Sequence, residues 1–227
     1  MPTVNYRVDG KRVPGTTTVV GRFKESGGLI HWAWDLGMQG INYRDARDTA
    51  ASTGTTGHAL IEQRIKGLEP VCDFSGTAEQ QQQAMKCLEA FDTWADQNKM
   101  EIIATEMHLV SPQYRFGGTP DAVAILNGKP TLLDFKTSNK TYGEYAIQVA
   151  AYRHLLNDGK LFDVETPDEL VNTEYGKIKD AHLLRIGKEF AEFHHSFWGE
   201  DVMDYCWDAF VQMRELYDKL ARIKKLA

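Results

Sequence analysis

The stretch Phe116–Ser138 reads FGGTPDAVAILNGKPTLLDFKTS and predicts a β-hairpin, because two apolar runs flank the dipeptide Asn127-Gly128. Asn-Gly is typical of a two-residue type I′ turn. Counting outward from such a turn along both strands brings Asp121 opposite Asp134. Lys136 lies two residues beyond Asp134 and therefore shares its face of the strand. A four-residue loop would instead shift this pairing by two residues.

Two carboxylates that face each other across a hairpin destabilise it unless a cation lies between them. Lys136 would neutralise the pair in part, and a divalent metal would do so more fully. Mg²⁺ and Mn²⁺ favour carboxylate, carbonyl and water oxygens as ligands. The alternative interpretation is a surface hairpin with solvated charges. Gly117-Gly118 favours a site, because glycines permit the backbone to approach a ligand closely.

The composition limits the class of protein. The chain has 227 residues, of which 42% are hydrophobic, and it carries a net charge of −6. That charge counts mildly against nucleic acid as a partner, although a bound metal would restore positive charge locally. The three scattered cysteines form no CxxC pair, which indicates a reducing compartment and excludes an iron–sulfur cluster. The N-terminus lacks the apolar run of a signal peptide, and no apolar stretch is long enough to span a membrane, so we expect a cytoplasmic protein.

The length of the chain predicts a single domain over residues 1–227, or one domain with a small appendage. Periodicity predicts a mostly helical section over 1–98 and a sheet core with a closing helix over 99–227. Within the helical section, Thr53–Gly57 predicts a weak point with a helix restart near Thr55, and Thr77 with Gln80 forms a capping box. Strands are expected at 101–110, 121–126, 130–137, 181–187 and 189–197, with a helix at 142–160 and another at 200–227. The fold class is therefore α/β or α+β, with a mixed sheet flanked by helices.

Four motifs in order carry a resemblance to a known family. They are GTTGH, which ends at His58, GGTPD, which ends at Asp121, DFK, which spans Asp134 to Lys136, and QVAAY, which holds Gln148 and Tyr152. The order resembles the PD-(D/E)XK nuclease superfamily and, more narrowly, its RecB-like exonuclease branch of compact phage and mitochondrial genome maintenance exonucleases. The resemblance covers residues 13–152. The chain departs from iron–sulfur members of the branch in lacking their four cysteines, and it has no GxxxxGK[ST] motif of a helicase.

The resemblance implies a restriction-endonuclease-like fold and metal-dependent hydrolysis of DNA from its ends, in recombination, repair or phage DNA processing. Asp121, Asp134, His58 and the backbone carbonyl of Phe135 would bind one or two Mg²⁺ or Mn²⁺ ions, and Lys136 would position or deprotonate the attacking water. The partners would be linear DNA, single- or double-stranded, and a recombination protein, with no membrane. The alternatives are a DNA-binding scaffold that has lost catalysis and a DNA endonuclease.

Further residues have two interpretations each. Glu62 would bind a metal-bound water or pair with Lys66, and Glu106 would face the site or, as we favour, lie exposed on a strand. The implied role of Gln148 and Tyr152 is to support the site and contact the DNA backbone, and the alternative is a half-buried helix face. Thr137 and Ser138 would donate to a phosphate or cap the strand end. Two larger groups are assigned to structure rather than DNA binding: core aromatics (Phe23, Trp32, Trp34, Tyr43) and a solvated basic helix end (Arg214, Lys219, Arg222, Lys224, Lys225). His194 and His195 alternate faces of a strand, so they cannot both bind one metal, and we interpret them as structural.

Overall fold

A computed structural model describes residues 4–25, 27–72, 77–162, 176–188 and 190–226. Its helices are α1 (Thr16–Gly21), α2 (Gly27–Met38), α3 (Tyr43–Ile65), α4 (Ala78–Gln97), α5 (Gly143–Asp158) and α6 (Glu200–Ile223). Its strands are β1 (Arg7–Val8), β2 (Lys11–Arg12), β3 (Glu101–Thr105), β4 (Leu109–Ser111), β5 (Phe116–Gly118), β6 (Ala122–Leu126), β7 (Lys129–Thr137), β8 (Lys160–Leu161), β9 (Ala181–Ile186) and β10 (Phe193–Trp198). In the described part of the chain, no helix is both long and apolar enough to cross a membrane.

The main sheet has five strands in the order β10-β9-β7-β6-β3. Strand β7 lies at its centre, antiparallel to β6 and parallel to β9, so the sheet is mixed. A smaller sheet in the order β5-β4-β8 lies beside it, and β1 and β2 form a separate hairpin. The predicted class, a mixed sheet flanked by helices behind a helical N-terminal section, is confirmed.

The two faces of the main sheet carry separate apolar cores, because successive strand residues point to opposite faces. Val123 and Leu132 pack with α1, α5 and α6 on one face. Leu133 and Phe135 pack with α3 and α4 on the other face. Asp134 lies between Leu133 and Phe135, and it therefore points toward α5 rather than toward α3.

Two local predictions were wrong. Residues 101–110 are two strands in different sheets rather than one, because Glu106 adopts a left-handed φ of 51° and turns the chain. Helix α3 also runs unbroken through Thr53–Gly57. Gly54 is needed there because a Cβ atom would lie 2.7 Å from the carbonyl oxygen of Gly187 and 2.7 Å from Cγ2 of Thr137. The glycine thus marks a close approach of α3 to the end of β7, not a helix break.

Candidate functional site

The hairpin of β6 and β7 has the predicted register. Asn127 and Gly128 have φ angles of 50° and 81°, as a type I′ turn requires. Ala122 pairs with Leu133, which places Asp121 and Asp134 one step further out on neighbouring strands. Oδ2 of Asp121 accepts a hydrogen bond of 2.8 Å from the backbone N–H of Phe135. The hairpin therefore brings the two carboxylates together at its open end.

Asp134 is completely buried beside Lys136. Nζ of Lys136 lies 2.5 Å from Oδ2 of Asp134, but neither carboxylate oxygen of Asp134 has a hydrogen-bond partner of regular geometry among the described residues. Burial raises the pKa of Asp134 to about 7, against the opposing charge of Lys136 and with the added repulsion of Asp121. The ion pair with Lys136 therefore compensates the buried carboxylate only in part, because its oxygens lack well-aligned hydrogen bonds.

Lys136 keeps its proton in this environment. Burial lowers its pKa, but the charges of Asp134 and Asp121 outweigh burial, so the pKa is raised overall. Nζ also lies 5.7 Å from the centroid of the Tyr145 ring on α5. The side chain is thus held as a cation near the C-terminal end of β7, the central strand of the sheet.

Gln148 and Tyr152 lie on the face of α5 that covers the carboxylates. Nε2 of Gln148 donates a hydrogen bond of 2.8 Å to the hydroxyl oxygen of Tyr152. Burial, followed by the charges of Asp134 and Asp121, raises the pKa of Tyr152 well above its ordinary value. The phenol therefore stays neutral and keeps its own O–H available as a donor near the carboxylates.

His58 lies on α3, on the other side of the sheet edge. Its ring packs edge-on against Phe135 with centroids 6.0 Å apart, and Nδ1 lies 4.0 Å from Oε2 of Glu62. A small cavity joins His58 to Asp121, and Glu62, Lys66 and Glu106 also line it. Asp121 lines both this cavity and a larger cavity on the α5 side of the sheet.

Glu62 and Glu106 share one cation. Nζ of Lys66 lies 2.6 Å from Oε1 of Glu62 and 2.8 Å from Oε2 of Glu106. The pairing of Glu62 with Lys66 is therefore present. The favoured interpretation of Glu106 as an exposed strand position was wrong, because its positive φ ends the strand and its carboxylate lines the cavity of His58.

Ser138 forms hydrogen bonds that fix the chain just after the end of β7. Its hydroxyl donates to the carbonyl of Lys140 at 2.8 Å, and its own carbonyl accepts from Nη1 of Arg185 at 2.7 Å. Thr137 is half-buried at the last position of β7. Of the two interpretations of these hydroxyls, the geometry gives Ser138 the strand-end role.

The predicted metal ligands do not form a closed cluster. Among the residues that the structure describes, no three His, Cys, Asp or Glu side chains come together as a metal-binding group. His58 lies on the α3 side of the sheet, whereas the side chain of Asp134 points to the α5 side. The donor chemistry nevertheless fits a divalent cation, because the buried Asp134 carboxylate forms an ion pair with Lys136 but no hydrogen bond of regular geometry among the described residues, and Asp121 lies opposite it at the end of the hairpin.

A larger cavity of about 850 Å³ opens on the α5 side of the site. Asp121, Gln148 and Tyr152 contribute to its wall, and so does Arg214 from α6. The prediction that Arg214 belongs to a solvated helix end was wrong, since only 6% of the residue is exposed. Periodicity on α6 could have indicated this, because Arg214 follows the buried Phe210 by one helical turn.

The aromatic and histidine predictions had mixed outcomes. Trp34 and Tyr43 are exposed, so their assignment to a core was wrong, whereas Phe23 and Trp32 are half-buried. His195 accepts or donates a 2.7 Å hydrogen bond with His182 on the neighbouring strand β9. His195 therefore has a partner within the sheet itself, as its structural interpretation requires.

Comparisons with known proteins leave the family open. No family model matches the chain, and no curated protein matches its sequence. Among solved structures, the alkaline exonuclease LHK-Exo from Laribacter hongkongensis is similar at a TM-score of 0.34 and 15% identity, covering 75% of this chain and 84% of the exonuclease. LHK-Exo in complex with dAMP gives a TM-score of 0.35 and 15% identity over 79% of this chain and 93% of the other. Structural similarity at these TM-scores and this identity does not establish a shared fold or a shared function.

Proposed function

We propose that the chain is a divalent-metal-dependent DNA exonuclease of the PD-(D/E)XK type, with all 227 residues in one nuclease domain. One observation carries the proposal. Asp121 and Asp134 meet at the open end of the β6–β7 hairpin, Asp134 is buried without a hydrogen bond of regular geometry among the described residues, and its Oδ2 lies 2.5 Å from Nζ of Lys136. A purely structural hairpin has no use for this arrangement, because two neighbouring carboxylates share one lysine, and burying an incompletely compensated carboxylate destabilises the fold.

Asp121, Asp134 and the carbonyl of Phe135 would hold Mg²⁺ or Mn²⁺, and His58 on α3 would reach the ion through the small cavity that it lines together with Asp121. Such an ion polarises a phosphate oxygen, lowers the pKa of a bound water and stabilises the leaving oxygen. The protein supplies the rest. Lys136 places a permanent positive charge where negative charge develops on the phosphate, and this charge needs no reorganisation because Asp134 and Tyr145 fix the ammonium group.

The α5 side of the site would position the substrate. Gln148 orients the hydroxyl of Tyr152, whose neutral O–H can donate to a phosphate oxygen. The cavity of about 850 Å³ beside Asp121 gives a strand of DNA room to reach the carboxylates. We place the protein in the host or bacterial cytoplasm, in recombination, repair or phage DNA processing.

The deciding experiment is a digestion assay on linear single-stranded, linear double-stranded and closed circular DNA, each with Mg²⁺, Mn²⁺ or EDTA. We expect metal-dependent loss of linear DNA alone, and its abolition in Asp134→Ala and in Lys136→Ala. Lys99→Ala, an exposed lysine outside the site, is the matched control. Cutting of circles would identify an endonuclease, and DNA binding without digestion would identify a scaffold.

A further inference from the structure

Arg214 is a buried cation whose surroundings do not fully use its donors. Nε and Nη2 donate to the carbonyl of Arg115 at 3.2 and 2.9 Å. Nη1 lies 2.7 Å from Oδ1 of Asp218, yet it has no hydrogen-bond partner of regular geometry among the described residues. The carbonyl of Arg115 thus holds the guanidinium group in place, while the Nη1 edge faces only the poorly aligned carboxylate of Asp218.

Asp218 is a replaceable partner for that edge. It lies one turn after Arg214 on α6, and 54% of its side chain is exposed, so it can turn into solvent at little cost. Carboxylate and phosphate oxygens make the same kind of contact with a guanidinium group. A phosphate that entered the cavity would therefore take the position that Asp218 now holds.

The guanidinium group of the neighbouring Arg115 is less available for this role. Nη1 of Arg115 lies 3.2 Å from Oδ2 of Asp9, and its Nη2 donates to the carbonyl of Val8. These contacts tie Arg115 to the β1–β2 hairpin. Arg214 is the cation that combines burial, a fixed guanidinium plane and an edge facing the same cavity that Asp121 lines.

We propose that Arg214 binds a backbone phosphate of the DNA strand whose cleaved bond lies at Asp121 and Asp134, and that this phosphate displaces Asp218 from Nη1. The inference rests on the proposed nuclease function and adds a second anchor for the strand. Because the contact is to phosphate, it is independent of base sequence. Asp218 acts as an internal competitor that keeps the buried guanidinium neutralised when no DNA is bound.

The test is the affinity for an internally labelled single-stranded oligonucleotide, measured by fluorescence anisotropy in EDTA over a range of salt concentrations. Arg214→Gln should weaken binding by about 5- to 30-fold, as expected for a charged hydrogen bond. It should also reduce the slope of log affinity against log salt by about 0.7, the value for one phosphate on a single strand. Arg222→Gln, an exposed arginine on the same helix, is the control and should change affinity less than about twofold.

Asp218→Asn distinguishes phosphate binding from a structural role, and its exposed position makes misfolding no obstacle. It should tighten binding by about two- to fivefold, because the competing carboxylate is gone. Unchanged or weaker binding in Asp218→Asn would overturn the inference, as would weaker binding in Arg214→Gln with an unchanged salt slope. If digestion still depends on Asp134 in that case, the proposed function stands. A wild-type chain that neither digests nor binds DNA would overturn both.

Discussion

The backbone N–H of Phe135 donates a 2.8 Å hydrogen bond to the side chain of Asp121, across the open end of the β6–β7 hairpin. One carboxylate therefore has two tasks. The Asp121 carboxylate accepts a hydrogen bond that closes the hairpin beyond its last paired residues. It also places a negative charge near Asp134. These tasks can be separated by substitution, because an amide oxygen accepts the same hydrogen bond without carrying the charge.

Asp121→Asn should abolish metal-dependent digestion and leave the free energy of unfolding within about 1 kcal/mol of wild type. Asp121→Ala should abolish digestion and also lower the free energy of unfolding by about a further 1 kcal/mol, since the amide of Phe135 loses its acceptor. Urea denaturation of both variants measures the difference. Equal stability of the two variants would show that this hydrogen bond does not stabilise the hairpin.

Gly54→Ala should lower the free energy of unfolding by about 1–3 kcal/mol, because the new Cβ would overlap backbone atoms of Gly187 and Lys188. Those atoms belong to the main chain and cannot move aside as a flexible side chain would. Gly37→Ala is the matched control on another helix, where a Cβ meets nothing within 4 Å. It should raise stability by about 0.5–1 kcal/mol. Thermal unfolding of both variants is the measurement, and equal shifts would contradict the close approach of α3.

Acid should destabilise the fold in part through His154. Its ring stacks on Trp207 with centroids 3.8 Å apart, and burial lowers its pKa to about 4. The unfolded chain binds this proton near pH 6.5 and the folded chain only near pH 4, so stability is full above pH 6.5 and falls as the pH drops through that window. The loss from this group is roughly 2–3 kcal/mol.

His154→Phe keeps an aromatic ring against Trp207 but cannot be protonated. Urea denaturation between pH 7.5 and pH 4 should therefore show a shallower loss of stability in the variant than in wild type. Parallel curves would mean that His154 does not titrate in this window. His108→Phe gives the comparison with a histidine in an exposed position.

Tyr152→Phe should reduce digestion while the protein stays folded. The change removes the acceptor for Nε2 of Gln148 and costs about 1 kcal/mol of stability. It also removes the one donor that this side chain can direct at a phosphate. Tyr205→Phe, at a position that is 79% exposed, should leave both quantities unchanged. Equal activity of the two variants would remove Tyr152 from the site.

The hairpin could be predicted from the sequence because its determinants are local. Asn127-Gly128 fixes the turn, the turn fixes the register, and the register places Asp121 beside Asp134. Gly54 and Glu106 could not be interpreted correctly, because the space around Gly54 and the backbone turn at Glu106 depend on partners that are distant in sequence. Gly54 is required by Gly187, and Glu106 donates its backbone N–H to the carbonyl of Asp121. The burial of Arg214 could have been predicted from its position one helical turn after Phe210, but its partner Arg115 could not, because the two residues are 99 positions apart in the sequence.

The central place of β7 has a consequence for how the protein moves. Amide protons of a middle strand exchange with solvent only when the sheet opens, whereas those of two-residue strands such as β1 and β2 exchange through small local fluctuations. We therefore expect the amides of Asp134 and Lys136 to exchange more slowly than those of the N-terminal hairpin, which borders the large cavity through Arg12. Local opening of that hairpin would change the entrance to the cavity while the central strand that carries the carboxylates stays closed.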